Sequence, residues 1–178
     1  MSERFWEHLT LDELDDVQWE KLCDGCGRCC LHKFIDEESD ELFFTDVRCR
    51  YLDTKQTPSP KQNHSSNPSM QLSSSETSVT SATVSSACAC TQYAKRQSKV
   101  KDCMDLRHVP REQLAWMPQT CAYRRLYEKK PLASWHPLKT GSRHEMDKQK
   151  ISLKFHSVKS ETELHADEIE FREIKWVS

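Results

Sequence analysis

The stretch "CDGCGRCC", residues 23–30, places four cysteines and two glycines within eight positions. The spacing of Cys23, Cys26 and Cys29 is C-x-x-C-x-x-C, which can turn three thiolates towards one small object. The glycines relieve the steric penalty of a sharp backbone path, and such a path lets backbone N–H groups point at sulfur. Three close thiolates with a distant fourth are typical of a cubane iron–sulfur site, whereas zinc more often takes two separated pairs. The stretch therefore predicts a metal centre and slightly favours an iron–sulfur cluster over zinc.

Cys30 follows Cys29 directly and does not fit this scheme. Neighbouring side chains diverge, so the two sulfurs do not comfortably bind one ion. A disulfide between adjacent cysteines would be a strained ring. We expect one of these two cysteines either to bind a second centre or simply to pack.

Five further cysteines are spread along the chain: Cys49, Cys88, Cys90, Cys103 and Cys121. With the first four they could supply two four-thiolate sites and one spare thiol, or one site and several structural cysteines. The spacing leaves both arrangements open, because the fold sets which distant residues meet. For the fourth ligand of the first site, the sequence favours Cys49 or one of the Cys88/Cys90 pair.

The composition places this chemistry in a single domain of modest size. The 178 residues are 36% hydrophobic and 30% charged, which allows only a limited core. The net charge of −2 gives no global attraction to nucleic acid, and the lack of a run of about 18 apolar residues argues against a membrane span. The start, "MSERFWEHLTLDELDD", is acidic and lacks the apolar region of a secretory signal. We therefore expect a cytoplasmic protein without nucleic-acid or membrane partners, whose thiols serve metal rather than disulfides.

Residues 55–87 change the character of the chain abruptly. Serine, threonine, proline and asparagine dominate them, so the segment buries too little apolar surface to offset its ordering entropy and is predicted to be a disordered insertion. Residues 1–54, with the first helix and the cysteine motif, and residues 88–178 then form two parts of one metal-binding domain. Closing the loop between them costs on the order of 3 kcal/mol plus a constant, whereas structural zinc contributes on the order of 10 kcal/mol. The insertion is therefore compatible with one composite site.

Capping and spacing signals predict three helices. Residues 10–22 favour one helix capped by Thr10, with a glutamate three positions on as in a capping box. Residues 109–118 form a short helix bounded by prolines. Residues 120–130 favour a helix capped by Thr120, with apolar pairs four residues apart.

Two segments favour strands, and the whole favours a mixed fold. Residues 42–52 are rich in β-branched and aromatic side chains, and residues 151–158 alternate apolar and polar side chains. Residues 134–142, "SWHPLKTGS", predict a turn. The fold class expected is a small, helix-rich single α+β domain, with a few short strands and an irregular cysteine-rich metal-binding region.

The longer sequence around the cysteines resembles a known bacterial family. "LTLDELDDVQWEKLCDGCGRCCLHK" looks like the opening of the YcgN-like family. The later blocks "CRYLD", "CAC", "DC", "LAWMPQTCAYRRLYEKKPLASWHPLKTGS" and "ISLKFHSVKSE" resemble that family in order. The resemblance covers most of the chain and departs from it at the Ser/Thr-rich insertion and after Glu161. It implies a cytoplasmic protein with a C-x-x-C-x-x-C-C motif in a domain described as zinc- or iron-chelating.

Three functions are consistent with these observations. The leading hypothesis is a cytoplasmic protein that coordinates an iron–sulfur cluster or zinc through its clustered cysteines. A second is a metal-dependent modification or redox enzyme, with an open coordination position sought near His136. A third is an interaction module in which zinc staples a surface for a protein partner that the sequence does not identify. His32 and His108 are weaker ligand candidates, because surface or hydrogen-bonded roles are commoner for a single histidine.

Overall fold

The computed structural model describes residues 4–54 and 87–177, and these two ranges belong to one compact unit. The predicted disordered insertion at residues 55–87 falls, apart from Ala87, outside the described residues. Within the described part of the chain, no helix is both long enough and apolar enough to cross a membrane.

Short helices and short strands alternate along the chain, which makes this a small mixed α+β domain, as expected. The α-helices are α1 (Asp16–Leu22), α2 (Arg96–Lys99), α3 (Ala122–Tyr127), α4 (Pro137–Thr140), α5 (His144–Lys148) and α6 (Ala166–Ile169). The strands are β1 (Leu31–Ile35), β2 (Leu42–Arg48), β3 (Leu52–Asp53), β4 (Ala89–Cys90), β5 (Lys159–Ser160) and β6 (Glu173–Ile174). The 3-10 helices are Phe5–Glu7, Leu11–Glu13, Arg28–Cys30, Tyr93–Lys95, Arg111–Trp116, Leu153–Phe155 and Glu161–Glu163.

Strand β2 is the centre of the larger sheet. It pairs antiparallel with β1, from Leu31 opposite Arg48 to Ile35 opposite Leu42, with an irregularity after Leu31. It also pairs in parallel with β5 and antiparallel with β6. A second, two-stranded sheet joins β3 to β4. The predicted strand at residues 42–52 is thus confirmed over β2, and its cysteine lies just beyond the strand end.

The predicted single helix over residues 10–22 is wrong, because the chain forms two helices there. Thr10 caps the 3-10 helix Leu11–Glu13, and its N–H donates to a Glu13 carboxylate oxygen at 2.7 Å. Leu14 then has an extended backbone conformation. Asp15 caps α1 by accepting a hydrogen bond from the N–H of Gln18 at 2.8 Å. Two consecutive capping boxes compete within one apolar pattern, and each begins its own helix.

The predicted strand at residues 151–158 is also wrong. Its centre forms the 3-10 helix Leu153–Phe155, with Leu153 fully buried. The Leu153 N–H donates to the carbonyl of Cys26 at 2.9 Å, so a tertiary bond replaces the sheet bond that alternation suggested. The predicted turn at residues 134–142 contains α4, which Gly141 ends with a φ of 75°. The short helix between the prolines is confirmed as the 3-10 helix Arg111–Trp116.

Three hydrophobic clusters form the core, and the cysteine motif connects them. Leu22, which precedes the motif, is fully buried in the helical cluster with Trp19 and Tyr123. Cys26 packs in a small cluster with a tryptophan and a methionine. Leu31, which follows the motif, lies in the cluster formed by the sheet. The motif therefore lies where the packed layers meet, and the core fixes its position from both ends.

Candidate metal centre

The cysteine turn begins where α1 ends. Cys23 is the C-cap residue of α1 and has extended backbone angles (φ −71°, ψ 124°), so the chain leaves the helix abruptly. Gly25 and Gly27 follow with φ values of 64° and 82°, which residues with side chains rarely adopt. A Cβ at Gly27 would stand 2.8 Å from the Cβ of Cys88. The turn therefore needs glycine there for both conformational and steric reasons.

Backbone oxygens of the turn are held by distant parts of the chain. The guanidinium of Arg143 donates to the carbonyl of Asp24 and, at 3.5 Å, to that of Gly25. The carbonyl of Cys26 accepts from the N–H of Leu153. These bonds fix the path of the turn from the outside.

Asp24 lies inside the turn and is only 5% exposed. One carboxylate oxygen, Oδ1, accepts from the N–H of Cys26 at 2.9 Å. The other, Oδ2, is buried and has no hydrogen-bond partner among the described residues. An unpaired buried carboxylate oxygen is costly. A cation in contact with this oxygen would offset this cost. The clustered thiols are donors that iron and zinc prefer, so the donor set of the turn fits a metal centre.

Cys121 joins the turn from α3. It is the N-cap residue of that helix, so the predicted cap at Thr120 is wrong by one position. The hydroxyl of Tyr123 donates to the carbonyl of Trp19 at 2.9 Å, and the two rings lie 4.6 Å apart. This contact joins the first turn of α3 to the last turn of α1. It brings Cys121, at the start of α3, within electrostatic range of Cys23, at the end of α1.

The electrostatics show the same convergence. Burial, then the charges of Asp24 and Cys29, raise the pKa of Cys23 and of Cys26 well above the usual thiol value. Burial and the same two charges raise the pKa of Cys121 to about 12. Cys23 is exposed at the surface. The protein around its sulfur nevertheless leaves a thiolate there poorly hydrated. Four thiols thus lie within electrostatic range of one another, in a site that disfavours bare thiolates.

Cys29 differs from its neighbours because it lies beside a cation. Its Sγ is 3.9 Å from the Sγ of Cys30, and the ammonium of Lys33 donates to its carbonyl at 2.9 Å. The hydrogen bond from Cys30, together with the Lys33 charge, outweighs burial and lowers the pKa of Cys29 to about 7. The site therefore holds one thiol that ionises near neutrality.

Backbone N–H groups point at the sulfurs of this first set. The N–H of Gly25 donates to the Sγ of Cys23 at 3.4 Å. The N–H groups of Tyr123 and Arg124, in the first turn of α3, favour the thiolate of Cys121 and oppose the rise of its pKa. Such N–H···S bonds are among the features that tune iron–sulfur sites.

A second set of thiols consists of Cys49, Cys90 and Cys103, and its first member bonds to the backbone of Cys30. The N–H of Cys49 donates to the carbonyl of Cys30 at 2.9 Å. Cys90 lies on β4, opposite Leu52 of β3. Burial raises the pKa of Cys103, and the charges of Cys49 and Cys90 raise it further. The charge of Cys29 raises this pKa as well, so Cys103 lies within electrostatic range of thiols of both sets.

Cys88 stands apart from both sets. Its Sγ lies 3.2 Å from the hydroxyl of Ser152, and the residue is buried in the sheet cluster. Its N–H donates to the carbonyl of Gly25 at 3.0 Å. Cys88 thus supports the turn through its backbone and packs against Gly27.

The thiols do not yet surround a single point. As they stand in residues 4–54 and 87–177, no three Cys, His, Asp or Glu side chains are grouped closely enough to hold one metal ion. Zinc at about 2.3 Å from each of four sulfurs needs those sulfurs about 3.8 Å apart. A shared centre therefore requires thiol side chains to rotate inward between staggered rotamers.

Comparison with known proteins identifies the family. A UPF0260 protein of Klebsiella pneumoniae is 40% identical over 163 residues, which cover 91% of this chain and 89% of that protein. The UPF0260 protein YcgN of Salmonella typhi is 40% identical over 155 residues, 87% of this chain and 81% of its own length. A UPF0260 protein of an Enterobacter strain is 41% identical over 155 residues, 87% and 84% of the two chains. The chain belongs to the UPF0260 family.

The predicted resemblance to YcgN-like proteins is thereby confirmed as membership of the family. No protein-family model and no solved structure matches the chain. The names of the UPF0260 relatives state neither a ligand nor a reaction. The chemistry of this UPF0260 member must therefore be argued from its own residues.

The three histidines of this UPF0260 member that were candidate ligands all have hydrogen-bond partners. His136 is 1% exposed, its Nδ1 accepts from the N–H of Leu138 at 3.1 Å, and its Nε2 lies 3.2 Å from the carbonyl of Leu22. Both ring nitrogens therefore have hydrogen-bond partners, and neither is free to bind a metal ion. His32 pairs with Glu161 at 2.8 Å, and the exposed His108 pairs with an aspartate at 2.7 Å.

Sequence reasoning missed three charged residues that shape the UPF0260 site. Asp24 sits between two cysteines of the motif, Lys33 follows the motif, and Arg143 comes 119 residues after Asp24. An acidic residue within a thiolate turn was a readable signal, since it cannot be buried without compensation. Arg143 carried no signal in the sequence, because only the fold brings it to the turn.

Proposed function

We propose that this protein binds an iron–sulfur cluster or zinc through Cys23, Cys26, Cys29 and Cys121. The observation that carries the proposal is the Tyr123–Trp19 hydrogen bond at 2.9 Å, which joins the first turn of α3 to the last turn of α1. Cys121 thereby takes the place of Cys49 or the Cys88/Cys90 pair as the fourth ligand. One short motif plus one distant thiol is the donor pattern of cubane iron–sulfur sites.

Charge balance supports metal over an unliganded thiol cluster. Burial disfavours isolated thiolates at Cys23, Cys26 and Cys121, and a bound cation reverses that preference. The net negative charge of a four-thiolate centre would be offset by Arg28, which lies within the motif, and by Lys33, which follows it. Arg143 adds a third cation at the backbone of the turn.

The hydrogen-bond pattern supports an iron–sulfur cluster ahead of zinc. The N–H groups aimed at Cys23 and Cys121 match the donors that stabilise anionic clusters. A bound cluster would supply one-electron chemistry, and a bound zinc would supply structural stabilisation. The chain's own contribution is to hold the four sulfurs, bury Cys26 and place Lys33 nearby. We place the protein in the cytoplasm, where thiols stay reduced.

Anaerobic purification of the untagged full chain tests the proposal. Iron, acid-labile sulfide and zinc would be quantified per chain, together with the visible absorption spectrum. We expect bound metal in the wild type, and brown protein with charge-transfer absorption if the group is a cluster. Folded wild-type protein without bound metal, even after reconstitution with iron and sulfide or with zinc, would refute the proposal.

The matched variants are Cys121→Ser and Cys88→Ser. Cys121→Ser removes the proposed fourth ligand and should lower the metal content of this centre at least several-fold. Cys88→Ser changes a thiol that already lies beside a hydroxyl, so its metal content should match that of the wild type. Equal metal loss in both variants would show that Cys121 has no special role as a ligand.

A further inference from the structure

The thiols that the proposed centre leaves over have an arrangement of their own. We propose that Cys30, Cys49, Cys90 and Cys103 form a second four-thiolate metal centre, adjacent to the first. This inference rests on the proposed function, since both centres use the same donor chemistry. It assigns eight of the nine cysteines to metal and leaves Cys88 as a structural thiol.

Backbone hydrogen bonds bring Cys30 and Cys49 together. Cys30 ends the 3-10 helix that leads into β1, and Cys49 follows β2 directly. The N–H of Cys49 donates to the carbonyl of Cys30 at 2.9 Å, which continues the pairing of Leu31 with Arg48 in the β1–β2 ladder. Two thiols distant in sequence are thus fixed at one end of the sheet.

The small sheet then adds Cys90. A turn after β2 is closed by the N–H of Leu52, which donates to the carbonyl of Cys49 at 3.0 Å. Leu52 pairs with Cys90 across the β3–β4 ladder, and the N–H of Thr91 donates to the carbonyl of Tyr51 at 2.8 Å. Cys90 is therefore held beside the turn that begins at Cys49.

Cys103 reaches this group from the segment after α2. Its N–H donates to the carbonyl of Val100 at 3.2 Å, which closes a turn just beyond the helix. Arg96 of α2 pairs with Asp105 at 3.7 Å and so spans the loop that carries Cys103. Cys103 lies within electrostatic range of Cys49 and Cys90, and Arg96 supplies a positive charge there.

An orphaned donor supports a negative group at this site. The guanidinium of Arg48 lies over the turn after β2, where its Nη1 donates to the carbonyl of Leu52 at 2.6 Å. Its Nε is buried and has no hydrogen-bond partner within the described ranges. A buried N–H of a charged group without an acceptor is costly. An anionic four-thiolate centre nearby would compensate for that charge.

Cys29 and Cys30 mark the boundary between the two centres. Their sulfurs are 3.9 Å apart. Cys29 closes the C-x-x-C-x-x-C spacing with Cys23 and Cys26, whereas the carbonyl of Cys30 accepts from the N–H of Cys49. In two-cluster ferredoxins, the last cysteine of the motif likewise ligates the other cluster. Two adjacent cysteines in the motif are thus explained physically, because Cys29 binds one centre and Cys30 binds the other.

Metal stoichiometry tests the second centre independently of the first. Metal per chain would be measured for the wild type, Cys90→Ser, Cys103→Ser, Cys121→Ser and the Cys90→Ser/Cys121→Ser double variant, with Cys88→Ser as the control. We expect about half of the wild-type metal in each single variant of either set, almost none in the double variant, and a full complement in Cys88→Ser. Cys103→Ser is a second test of the second centre. Cys103 lies in a loop, so its substitution should disturb folding less than substitution of Cys90 on β4.

The outcomes separate this inference from the proposed function. Full metal content in both Cys90→Ser and Cys103→Ser, with metal lost in Cys121→Ser, would overturn the second centre and leave the first intact. Complete loss in every single variant of either set would mean one joint centre and would also overturn the division. Folded wild-type protein without metal would overturn both proposals together.

Discussion

At the residue scale, the cysteine turn depends on glycines as much as on thiols. Gly27 has a φ of 82°, and a Cβ there would lie 2.8 Å from the Cβ of Cys88 and 3.3 Å from a methyl of Leu52. The thiols can meet only because the backbone passes this closely to β3 and to the residue before β4. The same reasoning explains why Cys88 is buried without being a proposed ligand.

Gly27→Ala should destabilise the protein more than Gly141→Ala does. Both glycines have positive φ, so each alanine costs about 1–2 kcal/mol of backbone strain. Gly141 has nothing within 4 Å of the added Cβ, whereas at Gly27 overpacking adds about 1–3 kcal/mol. Urea unfolding of the metal-loaded proteins measures the difference, and equal losses would show that the close approach is relaxed without cost.

At the element scale, the metal centre relies on where two short helices end and begin. Helix α1 has seven residues, which is too short to be stable alone. Its caps and its packing against α3 therefore decide where Cys23 is placed. The split of the predicted helix at Leu14 shows that two strong local caps can overrule a continuous apolar stripe.

Asp15→Ala should lower the free energy of unfolding by about 1 kcal/mol, because it removes the side-chain acceptor of the Gln18 N–H. Asp15→Asn keeps an acceptor of similar capping strength and serves as the control. Urea denaturation followed by circular dichroism measures both. An asparagine variant as unstable as the alanine variant would mean that the charge, rather than the cap, stabilises α1.

At the scale of the whole molecule, a limited core makes bound metal important to stability. Only 36% of the residues are hydrophobic, and the described core is divided into three clusters that meet at the cysteine motif. A metal held by the motif would link elements from both parts of the chain. Binding energy at such a site is folding energy.

Removing metal should therefore lower the melting temperature of the wild type clearly, by at least about 5 °C, since about 1 kcal/mol corresponds to roughly 2–4 °C at this size. Calorimetry of metal-loaded protein with and without a chelator measures the shift. Cys26→Ser should melt lower than the wild type and show a smaller further shift with chelator. Identical melting curves for the loaded and stripped wild type would remove the structural role of metal.

The sequence by itself determined the features that depend on local spacing. The cysteine motif, the capping glutamate after Thr10, the strand β2 and the proline-bounded 3-10 helix all depend on residues a few positions apart. The mixed α+β class follows from the same short-range patterns. The family was likewise readable, because its blocks recur in order along the chain.

Only the tertiary structure decided which distant groups meet. The Tyr123–Trp19 contact joins the helix that begins after Cys121 to the helix that ends before Cys23. Arg143 bonds to the turn from over a hundred residues away. The N–H of Leu153, in a predicted strand that does not form, donates to the carbonyl of Cys26. None of these partners is marked by spacing, since long-range contacts are selected by how whole elements pack and by which buried polar groups still need a partner.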